Sequence, residues 1–80
     1  MTDLIRIHPE VRAALESRRP VVALETTLVA HGFPGGVGAE VAAEAERRVR
    51  VAWAVPATVG VIDGRICVGL QAGELERFAT

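Results

Sequence analysis

Residues 20–34 read PVVALETTLVAHGFP, and the change of character at Glu25 governs how the rest of the chain is read. Val21 to Leu24 is a short apolar run, the pattern of a strand covered on both faces. An acid closes it. Beyond Glu25 come hydroxyls, a histidine and a glycine: Thr26, Thr27, His31 and Gly32. In sheets with parallel strands, ligands collect beyond the carboxyl ends of the strands, which puts Glu25 in a position for chemistry. Burial of its stem would favour the protonated form and suit it to acid catalysis, whereas a glutamate satisfied by neighbouring backbone amides fits the position equally well. Thr26 and Thr27 offer hydroxyls to a phosphate or sugar. His31 could donate to a phosphate or orient the carboxylate, or serve as a packing residue in a turn.

Upstream, Pro9 suits a first helical position and Glu10 the positive end of the dipole, and Val11, Ala14 and Leu15 recur at helical spacing through Ser17. His8 falls at the cap, where histidine is a poor choice, so we expect it to be exposed and without a catalytic role. Pro20 pushes the residue before it out of helical space, which ends the helix. Downstream, Thr26 to Gly38 has no steady period, and at about thirteen residues it exceeds the usual two to six between strand and helix. Its glycines, Gly32, Gly35, Gly36 and Gly38, fit neither GxGxxG nor GxxxxGK[ST], so the phosphate-loop signal is weak.

Ala39 to Ala52 is the clearest helix, with Val41, Ala42, Ala45, Val49 and Ala52 on one stripe and Glu44–Arg48 and Glu46–Arg50 as i,i+4 pairs on a solvated face. Trp53 then stands where a helix is most cheaply closed by glycine, and left-handed space would cost it about 1 kcal/mol or more. Proline at 56 belongs at the start of a strand running through Ile62. Asp63-Gly64 is a type I′ hairpin signal, returning the chain antiparallel over Arg65 to Leu70. Gln71 to Thr80 begins a further helix with Leu75 and Phe78 on one side. The long helix makes the first crossover parallel and right-handed. The expected fold is therefore α/β, an incomplete α/β/α layered fold whose mixed sheet has one parallel crossover plus a β-hairpin, with too few helices to cover it.

Net charge is −1, the arginines are dispersed and aromatics make up 4% of the chain, which leaves no electrostatic or stacking footprint for a nucleic-acid polymer. No apolar run approaches the ~18 residues of a membrane span, and the amino terminus does not resemble a signal peptide, so we expect a cytoplasmic protein. Cys67 is the only cysteine. It excludes an internal disulfide and a cysteine-based zinc site, and reads as a small buried apolar residue. His8 and His31 are far apart, and no carboxylate pair with metal-ligand spacing flanks either. Half of the eighty residues are hydrophobic and mean hydropathy is +0.31, high for a chain that must leave a large share of its surface wet. We expect sticky surface that something else covers.

The run ALETTLVAHGFP, followed by AVPATVGVIDGRICVGL, resembles the amino-terminal part of the pseudouridine-5'-phosphate glycosidases, also called the indigoidine synthase A-like family. The resemblance spans Ile7 to Leu70. It implies residues 1–80 to be the amino-terminal part of one larger glycosidase domain, without an internal boundary. It also implies reversible cleavage of the C–C glycosidic bond of pseudouridine 5'-phosphate to uracil and ribose 5-phosphate. Glu25 would be the proton donor, with Thr26, Thr27 and His31 binding substrate, a divalent metal such as manganese held elsewhere in the family fold, and a homotrimeric assembly. Two departures stand out: Gly38 where the family more often has asparagine, and Trp53 where it usually has glycine. The family's nucleophile is a lysine, and all nine basic residues here are arginine, whose guanidinium cannot supply a free amine. The chain alone is therefore expected to be inactive. The rival readings are a catalytically dead sugar-phosphate-binding module and a structural remnant.

Overall fold

The computed structural model describes residues 4–26 and 37–79. Within them the chain runs β1 (Ile5–Ile7), α1 (Pro9–Glu16), β2 (Val21–Glu25), α2 (Val37–Val51), β3 (Val55–Ile62), β4 (Arg65–Val68) and α3 (Ala72–Ala79). The four strands form one mixed sheet in the order β1-β4-β3-β2. β2 pairs parallel with β3, from Val21↔Val55 to Glu25↔Val59, and β3 pairs antiparallel with β4. The hairpin between them has Asp63 and Gly64 both at positive φ, 50° and 77°, as the Asp-Gly signal requires.

β1 does not follow from the sequence reading, which treats these residues as a tail. It pairs parallel with β4, Ile5↔Ile66 and Ile7↔Val68, and so forms the far edge of the sheet. Three residues are too short a window for alternation to register. A second correction concerns β2. It lies at the other edge, and Val22 and Ala23 are exposed rather than covered on both faces. An apolar run reports what a strand can bury, not how many neighbours it has.

Strand alternation divides the core between two faces. On one, Val11 and Ala14 of α1 close over Val55 and Ala57, with Ile7, Val21 and Val68 packed around them. On the other, Ala42 of α2 and Leu75 of α3 meet Cys67 and Leu70, flanked by Ile62 and Phe78. Cys67 is thus the small buried apolar residue expected of it. Leu15 is left largely in solvent because α1 is short and rests on the sheet only through Val11 and Ala14. α1 also stops short of the hairpin end, so Ile5, Ile66 and Val61, neighbours across three strands, remain 47, 48 and 62% exposed. The shortage of covering helices is real on this face.

His8 is partly buried and does cap α1, its Nδ1 accepting from the backbone N–H of Glu10 at 3.2 Å, contrary to the exposed position expected of it. Gly69 explains its seat: φ is +96°, and a Cβ there would stand 2.7 Å from the His8 Cβ. Both long-range helices end in Schellman motifs without glycine. Arg19 N–H donates to Ala14 O and Arg18 N–H to Leu15 O, with Arg18 at φ 59°. Ala54 N–H donates to Val49 O and Trp53 N–H to Arg50 O, with Trp53 at φ 67°. Each left-handed side chain costs about 1–2 kcal/mol. The strain anticipated at Trp53 is therefore present.

Candidate active site

β2 delivers Glu25 to the position its sequence suggests, the carboxyl end of a strand in parallel pairing, opposite Val59 of β3. Thr26 follows immediately and is partly buried. Thr27, His31 and the glycines at 32, 35 and 36 lie outside the described residues. A cavity of about 300 Å³ opens between the end of β2 and α2, lined by Leu24, Glu25 and Thr58 from the sheet and by Gly38, Val41 and Ala42 from the helix. Most of its wall is carbon. The first turn of α2 passes over it, with Gly38 buried, and the absence of a side chain there brings helix backbone close to the sheet.

The Glu25 side chain is exposed and makes no hydrogen bond or ion pair with another described residue. The expectation of a buried stem fails because β2 is an edge strand. What the sequence did foresee is the placement: a carboxylate at a strand tip, on the lip of a concave, largely apolar space.

Thr58 was not singled out in the sequence, although it alone interrupts the apolar start of β3 with a hydroxyl. It is 2% exposed, the only buried polar side chain among the described residues, and forms part of the cavity floor beside Leu24. Its hydroxyl donates to a carboxylate oxygen of Glu46 on α2, while its carbonyl accepts from the N–H groups of both Gly69 and Leu70. One residue thus ties the helix above the cavity to the turn after β4. The expected Glu46–Arg50 pair is not formed. Glu46 turns to Thr58, and Arg50 reaches Glu10 on α1 through both guanidinium nitrogens. The Glu44–Arg48 pair does form, at 2.8 Å, and Arg47 joins it at 2.7 Å.

These partners set the local electrostatics. Hydrogen bonds from Arg47 and Arg48 hold the Glu44 carboxyl down at about 2. The Arg50 guanidinium lowers Glu10, and the backbone N–H of Gln71, followed by Arg6, lowers Glu74. A second cavity of about 180 Å³, where β1 and β4 end, is lined by His8, Glu10, Glu46 and Arg50 among others. Its acids are engaged with Arg50 and Thr58. Among the described residues no three His, Cys, Asp or Glu side chains gather as a metal site would need. No described helix is long and apolar enough to cross a membrane.

The family model for indigoidine synthase A-like proteins matches residues 10–80. A pseudouridine-5'-phosphate glycosidase of Rhodospirillum centenum is 54% identical over 79 residues, covering 99% of this chain and 25% of that protein. One of Streptomyces griseus is 57% identical over 70 residues, covering 88% and 22%. Among solved structures, the prealnumycin C-glycosynthase AlnA in complex with ribulose 5-phosphate superposes with a TM-score of 0.78 at 44% identity, covering 96% of this chain and 24% of that one. An indigoidine synthase A-like protein of Thermotoga maritima gives 0.76 at 29% identity, covering 95% and 24%. The chain spans about a quarter of the length of the curated relatives it matches.

Proposed function

The chain belongs to the indigoidine synthase A-like family, and from that premise we propose that it supplies the proton-transferring carboxylate of a pseudouridine-5'-phosphate glycosidase, Glu25, to a site completed by polypeptide outside these eighty residues. The observation that carries this reading is the seat of Glu25: the carboxyl end of a parallel-paired strand, at the lip of a 300 Å³ cavity, free of any competing bond to a described residue. An exposed acid is a poor catalyst until water is excluded from it, so a covering segment would both shield Glu25 and shift it toward proton donation.

The reaction is reversible cleavage of a carbon–carbon glycosidic bond, giving uracil and ribose 5-phosphate. The leaving atom is carbon, so protonation of a glycosidic oxygen, the route of ordinary sugar hydrolases, has no counterpart. Ring opening comes first. Glu25 assists it by proton transfer and later serves the departing base, while a lysine amine outside this chain holds the opened sugar as an imine. Thr26, with Thr27 and His31, contacts the sugar phosphate. That a relative is solved with ribulose 5-phosphate supports this ligand class. The described residues offer no metal site, so the divalent metal, manganese, takes its ligands from elsewhere and enters no step assigned here. A phosphorylated substrate suits a cytoplasmic homotrimer.

Joined to the remaining three-quarters of the Rhodospirillum centenum relative, the chain is expected to turn over pseudouridine 5'-phosphate. Glu25→Gln in that hybrid should lower kcat by about 10²–10⁴-fold. An unchanged rate would remove Glu25 from the mechanism. The absence of lysine favours a second reading, sugar-phosphate binding without catalysis. Saturable binding of ribose 5-phosphate by the eighty-residue chain, with an inactive hybrid, would select it.

A further inference from the structure

Trp53 is the only tryptophan of the chain, it is 89% exposed, and it occupies left-handed backbone space that disfavours a bulky side chain. A strained aromatic that buries almost nothing contributes no stability to this fold. Val51, two residues earlier, is 67% exposed. The turn that carries them lies against the turn after α1, because Val55 N–H donates to Pro20 O at 2.9 Å and Val21 pairs with Val55. That second turn presents Arg18, likewise left-handed, and Arg19, both exposed.

The charge of this end of the molecule is one-sided. Residues 17–20 and 47–54 together carry Arg18, Arg19, Arg47, Arg48 and Arg50, and no acid. Glu44 engages Arg47 and Arg48, and Glu10 engages Arg50. Arg18 and Arg19 make no side-chain hydrogen bond or ion pair with another described residue. An aromatic anchor beside an aliphatic side chain, rimmed by guanidinium groups, is the composition of an interface centre, and tryptophan and arginine are the residues that most often dominate binding energy there.

We infer that the Trp53–Val51 patch, with Arg18 and Arg19 at its rim, is a docking surface for an acidic protein segment that carries an apolar side chain. The carboxylates would pair with the two arginines while the apolar side chain covers the indole. The same two left-handed positions that cost the fold stability hold the anchor and one of its rim charges outward.

Trp53 emission is a direct readout, since no other indole contributes. The probe is a synthetic peptide alternating glutamate and leucine, titrated into the eighty-residue chain beside its glutamine-for-glutamate counterpart. A saturable blue shift with the acidic peptide, weakened at least tenfold by salt or by Arg18→Gln with Arg19→Gln, supports the surface. Trp53→Gly should raise the melting temperature by about 4–8 °C while lowering affinity at least tenfold, followed by a label on the peptide. Gain in stability with loss of binding separates a docking role from a folding one. The inference is overturned if the glutamine peptide binds equally, or if Trp53→Gly binds as the parent does. It is overturned too if single-stranded RNA binds more tightly, or if Trp53 becomes shielded with rising protein concentration alone, which would make a second copy the occupant.

Discussion

Where β2 ends, Glu25 stands at the lip of a wide, carbon-lined cavity with no bond to another described residue; where β1 and β4 end, the acids lining a smaller cavity are each held, Glu10 by Arg50 and Glu46 by Thr58. The difference separates what the eighty residues complete from what they leave open. At the closed end, polar groups answer one another across α1, α2 and the turn at Gly69, and substitutions there should act on stability. At the open end a carboxylate costs the fold nothing and contributes nothing to it. That is the expected condition of a group kept for chemistry.

The strongest way to break the closed end is Gly69→Ala. A Cβ at φ +96° would sit 2.7 Å from His8 and 3.0 Å from Val11, so a loss of about 3 kcal/mol or more is expected in denaturant unfolding. A loss under 1 kcal/mol would mean that this turn gives way easily. Thr58→Val keeps the volume but deprives Glu46 of its donor, and should cost about 1–3 kcal/mol. Arg18→Gly, which relieves a left-handed arginine, should stabilise by about 1 kcal/mol. Glu25→Gln, the counterpart at the open end, should change stability by less than about 0.5 kcal/mol. A larger change would show that Glu25 is a structural residue and would collapse the contrast.

Acid sharpens the same comparison. Glu10, Glu44 and Glu74 are all held below the ordinary carboxylate value by their partners. Depressed carboxyls stabilise the fold above their unfolded pKa, and that stability is lost as pH falls through the folded one. For Glu44 the window runs from the model value of 4.5 down to about 2. Melting temperature should therefore be flat near neutrality and fall below about pH 4.5, modestly, because these pairs are largely solvent-exposed. A fall beginning at pH 6 would implicate a histidine instead.

What the sequence discloses follows from how local each cause is. The Asp63-Gly64 turn and the long helix α2 are set by neighbours in the chain, and both stand where their residues place them. Trp53 shows the limit well: its strain is a property of its own backbone and was foreseeable, whereas its exposure depends on what surrounds it. β1 and the edge position of β2 depend on pairings between distant segments, which periodicity does not report. The same holds at the site. Glu25 at a strand tip is legible because the strand is local; its exposure is not. Thr58 escapes notice because its importance lies in Glu46, twelve residues earlier, choosing it over the nearer Arg50.

The pairing of β1 with β4 has a kinetic corollary. Ile5 meets Ile66, so the first strand to leave the ribosome is among the last to find its partner. Closing a loop of about sixty residues costs about 3–4 kcal/mol in chain entropy before the contact returns anything. The β3–β4 hairpin must exist before β1 has an edge to join, and a nascent chain arrested before Arg65 should keep its amino-terminal strand accessible to proteases and chaperones alike.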